Sequence, residues 1–110
     1  MSQTPSVTPS LPDIDTGVEF VYDAAAELDP LHDVIVHNDD VTPFDFVAAV
    51  IQGTFGLPRP DAYAVTLEAH ETGHAYVVTL SFEEAKYRVY RAHALARANS
   101  YPLTFSIHPA

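Results

Sequence analysis

The 110-residue chain contains no cysteine and no tryptophan. Without a thiol, disulfide stapling, thiolate zinc sites and cysteine nucleophiles are all excluded. Basic residues are scarce: five Lys and Arg stand against fifteen Asp and Glu, for a formal charge of -10. Such a surface repels phosphate, which argues against a nucleic-acid groove or an anionic-membrane anchor. No apolar run approaches the roughly 20 residues of a membrane helix. The opening MSQTPSVTPS lacks the basic head and apolar stretch of a secretory signal, so the expectation is a soluble cytoplasmic protein.

The scarcity of positive charge is sharpest at the start. Asp13, Asp15, Glu19, Asp23, Glu27, Asp29 and Asp33 meet no Lys or Arg before position 34, and Pro5, Pro9, Pro12 and Pro30 interrupt the same stretch. One-sign charge, proline and little apolar surface oppose folding, because too little burial is available to offset chain entropy. Residues 1–30 are therefore expected to form a flexible acidic extension, with a short helical turn near VYDAAAEL, and residues 31–110 the folded core.

Within that core, Val34-Ile35-Val36 reads as a strand closed by the turn-prone His37-Asn38-Asp39-Asp40. Thr42 as cap, Pro43 at the first helical position and Asp45 in a capping box predict a helix, with Phe46, Val47, Val50 and Ile51 on its buried side and Gly53 and Gly56 at its end. A second helix is expected from about Asp61 to Glu71, stopped by Gly73, and a strand over His74–Leu80. Ser81 and Glu84 form another capping box, opening a helix to about Asn99 that buries Phe82, Ala85, Val89, Ala92 and Ala96. Leu103–Ile107 reads as a final strand. The order β-α-α-β-α-β predicts an α+β sandwich, a three-stranded sheet with three helices on one face.

Two patterns compete for the chemistry. His70-Glu71-Thr72-Gly73-His74 is a formal H-E-x-x-H match, which would make the chain a small zinc hydrolase. That chemistry requires both histidines on one helical face, whereas a helix ending at Gly73 sends His70 and His74 apart. His32, His37, His93 and His108 show no ligand spacing and are taken as surface residues. The second pattern is Asn38-Asp39-Asp40, a turn feeding directly into a capped helix that carries Phe44 and Val47 along one flank.

The runs V-I-V-x-N-D-D-x-T-P-x-x-F-V at 34–47, A-x-x-x-T-L-x-A-H-x-x-G at 62–73, E-x-A at 83–85 and A-R-A-N-x-x-P-L at 96–103 resemble the ClpS family, adaptors that deliver N-degron substrates to Clp-type AAA+ proteases. The resemblance spans nearly the whole folded part. It implies a fold like that of the C-terminal domain of a ribosomal stalk protein, no catalysis, no cofactor and no metal. It further implies a monomer whose partners are N-degron peptides or proteins and the N-terminal domain of a Clp unfoldase.

Carried over by position, Asn38, Asp39 and His70 would hold the substrate α-amino group, which is largely protonated at neutral pH. Val36, Thr42, Phe44, Val47, Val50, Thr66, Ala69 and Leu103 would form a pocket for a bulky Leu, Phe, Tyr or Trp side chain, and Glu83 and Arg88 would dock on the unfoldase. Three positions depart from the family pattern: Phe44 and Thr66 stand where methionine is common, and Ala69 where valine is. A rigid ring at Phe44 would narrow the mouth, while Thr66 and Ala69 would enlarge or polarise the wall.

Overall fold

A computed structural model of the chain describes residues 29–110; the expected acidic extension and its helical turn at 21–28 lie outside the described residues. Three strands, β1 (Leu31–His37), β2 (His74–Ser81) and β3 (Thr104–Pro109), form one antiparallel sheet in the order β2-β1-β3. The helices are α1 (Phe44–Phe55), α2 (Arg59–Thr72) and α3 (Phe82–Ala98). The α+β architecture and its element order are those expected from the sequence.

The strands alternate as a half-covered sheet requires. Val34, Val36, Ala75, Val77 and Phe105 are buried beneath the helices. They meet Val47, Val50, Ile51 and Phe55 of α1, Ala62, Thr66 and Ala69 of α2, and Ala85, Val89, Ala92 and Ala96 of α3, each set at helical spacing. Small residues line α2 and α3, so both helices can approach the sheet closely. A bulge in β2 keeps this pattern in phase: Val34 pairs with Val78 and Ile35 with Tyr76, leaving Val77 as the extra residue. The opposite sheet face is polar. There Thr79 donates to Asp33 at 2.6 Å, and Ser106 bridges His37 and His108 at 2.6 and 2.8 Å.

Several local expectations are corrected. Thr42 does not cap α1: Pro43 occupies the N-cap position and no side chain caps the helix, because the Thr42 hydroxyl donates to Asp39 instead. Gly53 lies inside α1, and only Gly56, with φ 76°, ends it. The second capping box is half formed: Ser81 Oγ accepts from the Glu84 amide at 3.4 Å, while the Glu84 carboxylate turns to Arg88 at 2.7 Å. Strands β1 and β3 are longer than composition indicated, since Leu31–Asp33 and His108–Pro109 find ladder partners.

The histidines are not all ordinary surface groups. His93, half-buried on α3, accepts the Phe105 amide through Nε2 at 2.9 Å and so ties the helix to β3. Burial, and secondly the charge of Arg97, hold its pKa below the ordinary value of 6.5. The folded chain therefore resists a proton that the unfolded chain accepts. Its contribution is complete above pH 6.5 and falls as the pH drops through the window beneath. We expect the urea midpoint to decrease between pH 7.5 and pH 5.5, and to decrease less in His93→Gln, which offers an acceptor that does not titrate. Equal decreases in both proteins would contradict this assignment.

Candidate functional site

The turn after β1 is organised by one carboxylate. Asp39 Oδ1 accepts the amides of Val41 and Thr42 at 2.8 and 2.7 Å, and Oδ2 accepts the Thr42 hydroxyl at 2.9 Å. This Asx-type arrangement folds residues 39–42 back and aims the chain into α1. Burial alone would raise the Asp39 pKa; the hydrogen bonds from Thr42 and Val41, with the more distant charge of Arg97, outweigh it and hold the pKa below its usual 3.8. Asp39 is consequently an anion throughout the neutral and mildly acidic range.

His70 arrives from the other side, in the last turn of α2. That helix stops at Gly73, whose φ of 100° suits a residue without a side chain, and whose amide bonds back to the Ala69 carbonyl at 2.8 Å. The Gly73 carbonyl in turn accepts the Asn38 amide at 2.9 Å. A single turn thus ends the helix bearing His70 and anchors the residue that begins the Asn38–Asp40 loop.

Between these parts lies a cavity of about 220 Å³ lined by His37, Asn38, Asp39, Asp40, Thr42, Phe44, Val47, Thr66 and His70. Its volume is below the roughly 300–1,000 Å³ of drug-sized ligand sites and suits one side chain with its polar attachment. Asn38, Asp39 and His70, which line it, are residue types able to accept hydrogen bonds. Phe44 and Val47 contribute apolar surface. Thr66 is 3% exposed and its hydroxyl donates to the Ala62 carbonyl at 2.7 Å, so its one donor is satisfied within the helix. The Phe44 ring is braced edge-on by Tyr63, with ring centroids 4.9 Å apart.

Of the residues expected in the pocket wall, Thr42, Phe44, Val47 and Thr66 line this cavity. Val36, Val50, Ala69 and Leu103 do not: they belong to the core, with exposures of 1–3%. Their side chains are taken up in packing the sheet against the helices. Leu103 is held there by Arg97, whose guanidinium donates to the Tyr101 and Leu103 carbonyls at 2.9 Å each. Asp40, part of the Asn38-Asp39-Asp40 pattern but given no role, also lines the cavity, as does His37, which was read as a surface residue and whose only signal was that it precedes Asn38 in the sequence. Tyr63 was missed as the brace of Phe44; its place one helical turn before Thr66 was the available cue.

Glu83 and Arg88 stand apart from the cavity, on α3. Glu83 is exposed and pairs with Lys86 at 3.2 Å. Arg88 is half-buried, binding Glu84 and donating to the Thr54 carbonyl at 3.2 Å, so it also clamps α3 to the end of α1. The zinc-hydrolase alternative is removed by the backbone. His70 sits in α2 and His74 opens β2, so the two imidazoles do not share a helical face, and among the described residues no three His, Asp or Glu side chains are grouped to hold a metal.

The sequence profile of the family described as "ATP-dependent Clp protease adaptor protein ClpS" matches residues 27–106. The chain belongs to the ClpS family. Among curated ClpS proteins, ClpS 1 of Bradyrhizobium diazoefficiens is 37% identical over 79 residues, covering 72% of this chain and 78% of that one. ClpS 2 of Mesorhizobium japonicum is 32% identical over 99 residues, covering 90% and 98%. The solved structure of Agrobacterium tumefaciens ClpS2 bound to L-phenylalaninamide superimposes with a TM-score of 0.71 at 31% identity, covering 74% of this chain and 98% of that one. ClpS proteins are non-catalytic adaptors of the Clp protease, consistent with a cavity built of acceptors and apolar wall.

Proposed function

We propose that this chain binds the free N-terminus of proteins that begin with a bulky apolar residue and delivers them, in the cytoplasm and as a monomer, to a Clp AAA+ unfoldase. The observation that supports this reading is one small cavity with acceptor groups beside an apolar wall. An α-ammonium needs acceptors, which Asn38 supplies through its side-chain oxygen, Asp39 through its carboxylate, directly or across a water, and His70 through a ring nitrogen. L-phenylalaninamide, the ligand of the Agrobacterium relative, is itself a free amine beside a benzyl group. Burying one large side chain contributes about 1.5–3 kcal/mol, and each hydrogen bond to a charged group about 1.5–3 kcal/mol. One buried side chain and three such hydrogen bonds sum to about 6–12 kcal/mol, a range that spans the roughly 8 kcal/mol of a micromolar affinity, suited to cargo that must be released.

Residues 1–30 would serve as the extension used during handover, and residues 31–110 as the recognition core. Exposed Glu83 would contribute to docking on the unfoldase N-terminal domain, with Arg88 nearby on α3. The braced ring of Phe44 would act as a gate that excludes β-branched N-termini. Replacing Phe44 with Met is expected to change the affinity order of peptides beginning with Phe, Tyr, Trp and Leu; an unchanged order would contradict the gate. The function as a whole is tested by a reconstituted degradation assay. This chain should accelerate proteolysis of a Phe-initiated reporter by the Clp unfoldase and peptidase, and leave a Ser-initiated reporter unaffected. Equal rates for both reporters would overturn the proposal.

A further inference from the structure

A second depression of about 290 Å³ lies on the exposed side of the α1–α2 pair, lined by Asp45, Ala48, Ala49, Gln52, Arg59 and Tyr63. It is joined to the first cavity through two structural features. Arg59, Tyr63, Thr66 and His70 recur along one side of α2 at i, i+4, i+7 and i+11, the first two facing this groove and the last two the cavity. The Phe44 ring, a wall of the cavity, rests against the Tyr63 ring, a wall of the groove.

We propose that this groove receives the residues following the first residue of a bound N-degron. The inference rests on the amine-site reading above. With the α-amine near His70 and the first side chain against Val47 and Thr66, the remaining substituent on that α-carbon is the rest of the substrate. Val47 and Thr66 of the cavity wall are buried, whereas Phe44 of the cavity and Tyr63 of the groove are in ring contact, so the substrate chain would leave by way of these two rings. Tyr63 precedes His70 by about 10 Å along the helix axis, the reach of about three extended residues. The third residue of the substrate therefore lies beside Tyr63.

The chemistry of the groove suits a chain rather than one particular side chain. Ala48 and Ala49 leave a shallow floor, Tyr63 offers an aromatic face and a hydroxyl, and Gln52 offers an amide able both to donate to and accept from a peptide backbone. The groove adds affinity according to the length of the substrate and with little dependence on its sequence beyond the first residue.

Titration calorimetry with L-phenylalaninamide and with the peptide Phe-Ala-Ala-Ala-amide separates the two sites. The tetrapeptide should bind the native protein about tenfold more tightly, the worth of one or two net hydrogen bonds. Ala49→Trp, a change at an exposed position, fills the groove and should abolish this gain while leaving L-phenylalaninamide affinity unchanged. Gln52→Ala should reduce the gain part-way. The proposal is overturned if the tetrapeptide binds no more tightly than L-phenylalaninamide, if the gain survives in Ala49→Trp, or if that variant weakens both ligands equally. Failure of L-phenylalaninamide to bind the native protein would remove the amine-site reading, and the groove with it.

Discussion

Replacing Asp39 with Ala is expected to weaken binding of a Phe-initiated peptide by about 10–100-fold, the equivalent of one charge-assisted contact. Two effects contribute. The substitution removes the anion proposed to meet the substrate ammonium, and it removes three hydrogen bonds that shape residues 39–42. Asp39→Asn divides them. The asparagine oxygen can still accept the Val41 and Thr42 amides, so the turn persists while the charge is lost. Asparagine should therefore lose most of the affinity but little of the thermal midpoint, whereas alanine should lose both. An Asp39→Asn protein that binds like the native one would show that the carboxylate serves the turn alone.

The second large effect is expected from filling the cavity. Thr66 is buried at its wall, and its hydroxyl is satisfied by its own helix. A phenylalanine there has no buried hydrogen-bond partner to strand and a space of about 220 Å³ to enter. Thr66→Phe should keep the fold, because the ring occupies existing space and does not overpack the core. It should eliminate measurable binding of Phe-, Tyr-, Trp- and Leu-initiated peptides by occupying the place of their first side chain. Thr66→Ser, which leaves the space open, should bind within about threefold of the native protein, a difference smaller than one kcal/mol. Calorimetry reads the binding, and circular dichroism with a melting curve reads the fold. Full affinity in Thr66→Phe would mean that the first side chain binds elsewhere.

Element order and type were legible in the sequence because hydrophobic period, capping residues and glycine stops agreed in each segment. Gly73 illustrates this: together with the strand-like Tyr76-Val77-Val78-Thr79 that follows, it implied that His70 and His74 belong to different elements, and the helix end at Thr72 bears this out. What could not be read were choices between equivalent local partners. Asp39 and Thr42 can each bond a nearby amide, and their mutual hydrogen bond decides that the carboxylate, not the hydroxyl, organises the turn. His93 looked like a surface histidine because its partner, the Phe105 amide, is brought to it only by tertiary folding.

The candidate site divides along similar lines. Asn38 and Asp39 adjoin in sequence, but only the bond from the Asn38 amide to the Gly73 carbonyl shows how the end of α2, with His70, reaches them. Val36, Val50, Ala69 and Leu103 share the apolar character of a pocket wall, and sequence alone does not distinguish a residue that faces a void from one that fills it. In the folded chain those side chains meet one another and the sheet, which leaves Thr42, Phe44, Val47 and Thr66 to face the cavity.

Fluorescence anisotropy of a labelled Phe-initiated peptide, titrated once with a free α-amine and once acetylated, is the most direct test of a site organised around an N-terminal ammonium. The account predicts micromolar binding of the free peptide and no measurable binding of the acetylated one, because acetylation removes the charge and most of the N–H donors from which Asn38, Asp39 and His70 are proposed to accept hydrogen bonds. Equal affinity for the two peptides would contradict it.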